Sequence, residues 1–243
     1  FFKEKSIKAV FTKEPGSSKI GGEIRNLLLN KNLDLSTYAE LFLIFADRSQ
    51  HVEEIIKPNL STDFLVVSDR YIDSTFAYQG EGRSIGYVEI TEIIEKMNLP
   101  LPDKTFLLDL PVSEGLGRAK KRAEFDRFES EEIVFHEKVR NAYLKIHEEN
   151  KNRIIKIDAM KSPKKIFDGK NVCSICLCLS TTAGSVCCSE FWWFGSSAPR
   201  LPRLHELLRK RAPELLSHCD VNKDHLTHAP WCNKQCGNTL KKK

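Results

Sequence analysis

The sequence predicts an α/β domain built on a parallel sheet, and three observations carry that prediction. Short apolar runs of strand type alternate with longer stretches of helical spacing. The strand runs are apolar throughout, as in strands buried on both faces, which argues for helices on both sides of the sheet. Polar clusters follow the strands directly: Glu14 after the first, Asp69-Arg70 after the second and Asp158 after the last. In open parallel sheets ligands sit beyond the carboxyl ends of the strands, so a site is expected at that edge.

The elements follow in order. Residues 6–13 (SIKAVFTK) read as a buried strand, ended by the turn Glu14-Pro15-Gly16. Ile20 to Leu29 has helical spacing, with Ile24, Leu27 and Leu28 on one face. Thr37 to Ile56 is a long helix with Leu41, Ile44, Phe45 and His51-Val52 near one side and Pro58 as its stop. Phe64 to Val67 is a strand. Ile85 to Met97 is a helix, and Thr105 to Leu110 is a strand followed by Pro111. Glu114 to Arg122 and Glu131 to Glu149 are helices, and Arg153 to Asp158 is the last strand.

Composition divides the 243 residues in two. All eight cysteines lie between Cys173 and Cys236, with all three tryptophans, whereas all five tyrosines lie between Tyr38 and Tyr143. Residues 169–243 carry 11 Lys and Arg against 5 Asp and Glu, so the net charge of +5 belongs to the tail. It gives no argument for nucleic-acid binding by the first part. A cysteine-free first part fits a reducing compartment. With no signal pattern at the N-terminus, a soluble, cytoplasmic protein is expected, with neither membrane nor nucleic acid as partner.

The strongest local feature is residues 64–83, FLVVSDRYIDSTFAYQGEGR. A buried strand delivers a carboxylate and a guanidinium side by side. Asp69 could hold Mg²⁺, directly or through water, because a hard cation prefers oxygen ligands. Arg70 could make a forked contact to a phosphate. For an isolated Asp-Arg pair a strand-end salt bridge or helix cap is the commoner reading. The polar, glycine-containing stretch behind it (Ser74, Tyr78, Gln79, Gly80, Gly82, Arg83) shifts the balance toward a nucleotide-contacting loop. On the long helix, Arg48 lies one turn beyond Ile44 and Phe45; taken alone this reads as a core face with a solvated edge. Arg118 to Arg122 followed by Asp126-Arg127-Phe128-Glu129 resembles a cationic lid over phosphates, against the bland reading of an exposed charged helix.

Taken together these segments resemble bacterial thymidylate kinases. Thr12-Lys13-Glu14-Pro15-Gly16 matches that family's [TR]-[RK]-E-P-G strand end. Glu40 to His51 matches its E-x-x-L-F-x-A-D-R-x-Q-H helix, and Asp69 to Gly80 its D-R-Y-x-D-S-x-x-A-Y-Q-G signature. Pro102 to Asp109, Arg118 to Glu129, Phe135 to Leu144 and Ile157 to Ala159 match further segments in order, so that the likeness covers residues 6 to about 168.

The resemblance implies a P-loop nucleotide-kinase fold, transfer of the γ-phosphate of ATP to dTMP with Mg²⁺, and a homodimer where the fold is complete. It also implies roles for residues. Asp69 would hold the metal, and Arg48 and Arg70 the dTMP phosphate. Ser74, Tyr78 and Gln79 would line the nucleoside site, with Glu14 on the acceptor side. Arg118, Arg122 and Arg127 would form the catalytic lid. Where the family has a thymine-stacking Phe, this sequence has Ile44, so stacking is assigned to Phe45 on a rotated helix. No G-x-x-x-x-G-K-[ST] occurs in the 243 residues. The first strand and its phosphate loop are therefore expected to be missing, and the chain alone to be an inactive kinase that binds dTMP at most.

Lys161 to Asp168 reads as the start of a last helix. Residues 169–243 are expected to be a separate tail, disordered or shifted in reading frame. Cys173, Cys176, Cys232 and Cys236 with His218, His225 and His228 are zinc candidates of irregular spacing; a frame change explains the composition more economically. Leu201 to Leu216 has the pattern of a short amphipathic helix.

Overall fold

In the computed structural model, residues 8–62, 64–122, 124–162, 165–166 and 185–188 are described. The strands are β1 (Ala9–Lys13), β2 (Leu65–Asp69), β3 (Lys104–Asp109), β4 (Ile154–Asp158) and β5 (Ser185–Cys188). They form one sheet in the order β1-β2-β5-β3-β4, and every pairing is parallel. The first four are the strands read from the sequence. The register pairs Lys13 with Asp69 and Asp109 with Asp158, so the polar strand ends share one edge.

The fifth strand was not anticipated. Ser-Val-Cys-Cys spans four residues in a stretch rich in Cys, Ser and Thr, too short for a strand pattern to stand out. It pairs with β2 from Val66 to Asp69 and with β3 at Lys104 and Thr105, at the centre of the sheet. The zinc candidates, the 201–216 helix and the rest of the tail lie outside the described residues.

Helix α1 spans Gly21–Leu29 and α2 spans Thr37–His51. The Ser36 hydroxyl accepts from the Ala39 amide and so caps an otherwise unpaired N–H at the start of α2. The sequence marks Pro58 as the stop of this helix. The chain instead continues through a wide π-turn, Val52–Ile56, into α3, Lys57–Leu60. The Lys57 amide reaches Val52 O, and Pro58 then sits at the opening of the next short helix, where its missing N–H costs nothing.

The stretch read as a nucleotide-contacting loop is also helical. It comprises α4 (Ile72–Thr75) and a second π-turn, Phe76–Gly82. Its glycines allow close packing: a Cβ on Gly82 would lie 2.7 Å from the Phe135 ring. Helices α5 (Tyr87–Lys96), α6 (Val112–Arg122) and α7 (Ile133–Glu149) complete the layers. Lys165 and Ile166 are helical, with the Ile166 amide on Ser162 O, as expected for the start of a last helix.

Two apolar clusters form the core. One joins α2 and α5 to β2 through Leu41, Phe45, Val52, Val66, Ile90 and Ile94. The other joins α6 and α7 to β3 and β4 through Leu107, Ala119, Phe135, Val139, Tyr143 and Ile154. Each large side chain buried here contributes roughly 1.5–3 kcal/mol. These clusters fix α2 and the 72–82 segment on either side of the polar strand ends. Among the described residues no helix is long and apolar enough to cross a membrane.

Candidate active site

At the carboxyl ends of β1 and β2 lies a cleft of about 430 Å³, counting the space open to solvent. It is lined by Glu14, Arg48, Arg70, Ser74, Tyr78 and Gln79, all anticipated from the sequence. Ile44, Leu28 and Phe128 supply apolar wall.

Glu14 follows β1 and accepts from two residues of α2. Arg48 Nε lies 2.7 Å from Oε2, and His51 Nδ1 lies 2.7 Å from Oε1. His51 Nε2 in turn meets the Thr12 hydroxyl at 2.6 Å. Arg48 also donates to Thr75 Oγ1 (2.8 Å) and to Tyr71 O (3.0 Å). Its guanidinium packs against the rings of Phe45 and Tyr71. The solvated helix edge read around Arg48 is thus corrected: Arg48 is 1% exposed. A guanidinium is buried only where partners satisfy it, and Glu14 supplies the counter-charge.

Asp47, beside Arg48, accepts from the Gly16 amide at 3.1 Å and so ties the turn after β1 to α2. Its other oxygen has no partner among the described residues. Burial, and then the neighbouring Glu14 charge, push its carboxyl up to about 6. The Glu14–Pro15 peptide bond is cis.

Asp69 ends β2 next to three cations. Burial raises its pKa, while Arg70, Arg25 and Lys13 pull it down. Burial lowers the pKa of both Lys13 and Arg25, and each feels a second cation. Lys13 and Arg25 were not singled out in the sequence, although Lys13 belongs to the T-K-E-P-G turn and Arg25 to the spacing of α1. Their field favours an anion at this edge. Arg70 has φ 67°, a left-handed conformation rare for a non-glycine residue. The Ser68 hydroxyl donates to Arg70 O at 2.8 Å and helps hold it there. The guanidinium lies over the Tyr78 ring and reaches its hydroxyl at 3.2 Å. Strained residues persist where the surroundings over-determine them, and such places are enriched at binding sites.

Three expectations meet a different geometry. Phe45 is not among the residues lining the cleft; it is buried in the core with Leu41 and Val52, and Ile44 takes the cleft-facing position. The helix does not rotate because the α2 stripe carrying Leu41 and Phe45 is already packed against β2 and α5. Arg118 lies apart from the cleft lining, donating to Glu114 Oε1 (2.7 Å) and Ala159 O (3.0 Å). Arg127 donates to Glu40 Oε2 (2.8 Å) and Leu28 O (2.7 Å), and it is the adjacent Phe128 that lines the cleft. The side chain of Arg122 lies outside the described residues.

No group of three or more metal-ligating side chains occurs among the described residues. Asp69 offers one carboxylate to a Mg²⁺ ion; with Arg70, Arg25 and Lys13 beside it, the remaining ligands would have to be anionic nucleotide phosphates and water.

Comparison with known proteins agrees with this geometry. The family model described as Thymidylate kinase matches residues 1–168. The thymidylate kinase of Carboxydothermus hydrogenoformans is 42% identical over 168 residues, which is 69% of this chain and 82% of that protein. That of Acinetobacter baumannii (strain AYE) is 37% identical over 169 residues, 69% of this chain and 85% of that one. The crystal structure of the Ehrlichia chaffeensis thymidylate kinase superposes with a TM-score of 0.51 at 32% identity, covering 62% of this chain and 71% of its own. With Glu14, Arg48, Arg70 and Gln79 of three family motifs gathered on one cleft and the family model matched over two thirds of the sequence, the chain belongs to the thymidylate kinase family, a family of nucleoside-monophosphate kinases.

Proposed function

We propose that the cleft binds dTMP as phosphate acceptor, and that the enzyme transfers the γ-phosphoryl group of ATP to it, forming dTDP for dTTP synthesis. The observation that supports this most is the convergence of Arg48 and Arg70 with Ser74, Tyr78 and Gln79 on one cleft. Two guanidinium groups suit a doubly charged phosphate, and the polar side chains beyond them suit a nucleoside. Glu14 keeps Arg48 oriented, because the carboxylate fixes its Nε edge. Asp69 would hold Mg²⁺ directly or through water, and the ion would offset charge on the transferring group. Arg118, Arg122 and Arg127 are the lid cations in this reading, and closure over ATP would require Arg127 to leave Glu40.

Because the 243 residues contain no G-x-x-x-x-G-K-[ST], a polypeptide of this sequence is expected to bind dTMP but to turn over little ATP. The exposed rings of Tyr38 and Phe42 on α2 support a homodimer; F42E is expected to give a monomer by light scattering.

Calorimetric titration tests the central reading. Arg70→Gln should weaken dTMP binding by about tenfold to a hundredfold, as for loss of a charged hydrogen bond, and leave thymidine binding unchanged. Equal dTMP affinity in wild type and variant would overturn the assignment.

A further inference from the structure

Glu40 opens the sequence motif of α2, yet it neither lines the cleft nor belongs to the solvated surface: it is 1% exposed. Its two oxygens gather donors from three residues in two parts of the chain. Gln79 Nε2 donates to Oε1 at 2.8 Å. Arg83 Nε reaches Oε1 and Oε2 at 3.3 and 3.2 Å, and Arg127 Nη2 reaches Oε2 at 2.8 Å.

With two guanidinium groups on it, Glu40 is an acceptor only. That decides the orientation of the Gln79 amide. Its nitrogen must face Glu40, so its oxygen is the atom left for a ligand, and Gln79 lines the cleft. An oxygen at that place rewards a base edge that donates an N–H. The imide N–H of thymine or uracil does so; the corresponding ring nitrogen of cytosine is an acceptor and would repel it.

Glu40 governs a second wall as well. Arg127 is bound by Glu40 and by Leu28 O, and its own amide donates to Leu29 O at 3.3 Å. Residues 126–129 close on themselves through Glu129 N to Asp126 Oδ1 (2.9 Å) and Asp126 N to Glu129 Oε2 (3.2 Å). This short strap carries Phe128 into the cleft, where its ring stands edge-on to Tyr78 at 5.7 Å and beneath the Arg127 guanidinium at 4.4 Å.

We propose that Glu40 is a positioning residue for base selection: it turns the Gln79 amide oxygen toward the ligand and latches the Phe128 strap over the same cleft. The inference rests on the nucleoside-monophosphate reading above. A glutamine at position 40 can present either oxygen or nitrogen to Gln79, so it releases the amide to flip while keeping the volume.

Calorimetric titration of dTMP and dCMP into wild type, Glu40→Gln and Arg127→Met tests it. Wild type should favour dTMP by at least about a hundredfold, the kind of discrimination a buried hydrogen-bonding group gives. E40Q should cut that ratio below about tenfold. R127M, which frees the strap while Arg83 still holds both Glu40 oxygens, should weaken both nucleotides alike and leave the ratio unchanged. A folded E40Q that keeps the wild-type ratio overturns the proposal. A second readout needs no folded variant at position 40 and no ligand. The Gln79 side-chain amide protons, assigned in wild type by their loss in Q79L, should exchange slowly with solvent; rapid exchange also overturns it. A wild-type chain that binds neither nucleotide breaks the dTMP reading instead, and Glu40 is then judged by the amide exchange.

Discussion

Two arginine–carboxylate constellations meet the 72–82 segment, one at Thr75 and one at Asp73, and they differ in use. Arg48 is held by Glu14, Thr75 and Tyr71 O, with its side chain 2% exposed. Arg153 grips Asp73 with both terminal nitrogens, at 2.8 and 2.7 Å, with Thr105 completing the group, and its side chain is 23% exposed. The first borders the cleft, and no described residue accepts from the remaining Arg48 N–H groups. The second lies outside the cleft and fastens α4 to β3 and to the start of β4. The same ion chemistry thus serves as a binding group where donors are left over beside a void, and as a staple where they are not.

The sharpest way to break this comparison is Arg48→Met. It leaves Glu14 buried without its cation, which costs roughly 3–5 kcal/mol, and it should abolish dTMP binding; denaturant unfolding and titration read the two losses. Asp47 gives the next effect, through pH. Its folded carboxyl stands at about 6, above the unfolded value of 3.8. The folded state therefore binds the proton more tightly, so stability falls as pH rises from about 4 to 6 and the loss is relieved below that window. The size is roughly 2–3 kcal/mol. The difference in unfolding free energy between wild type and Asp47→Asn, followed from pH 4 to 7, should show that slope; a flat difference contradicts it.

Asp73→Asn should cost about 2 kcal/mol, less than Arg48→Met because Arg153 reaches water. It should leave dTMP affinity within about twofold. A large loss of affinity would erase the distinction between site and staple. The smallest effect separates two neighbours on α2. Ile44→Ala should weaken dTMP several-fold with about 1 kcal/mol of destabilisation, whereas Phe45→Ala should destabilise by about 3 kcal/mol and touch affinity little. The reverse pattern would return the base-facing role to Phe45.

The sequence made the four long strands legible because each is a continuous apolar run with a polar end. It also placed Arg70, Ser74, Tyr78 and Gln79, since one signature holds them together. Three things escaped it for physical reasons. The π-turns at 52–56 and 76–82 shift helical phase locally, and no composition marks a widened turn. The choice between Ile44 and Phe45 depends on which stripe of α2 the sheet claims, a tertiary fact. Glu40 and Asp47 were visible as part of a pattern that was not used. With His51 they recur at helical spacing along α2, a stripe of polar groups running into the interior.

The central place of β5 has a consequence for how the sheet assembles. Strands β1 and β2, and likewise β3 and β4, can pair with their neighbours as soon as each segment is made. The bond between these two half-sheets waits for Ser185–Cys188, more than a hundred positions beyond Val66 in the chain. Closing so long a loop is entropically costly, so the backbone ladder across the middle of the sheet is expected to complete last. Until they join, β2 and β3 each present a bare edge of unpaired N–H and C=O groups at the middle of the molecule. That edge can recruit a strand from another chain, and self-association is the hazard of the nascent protein.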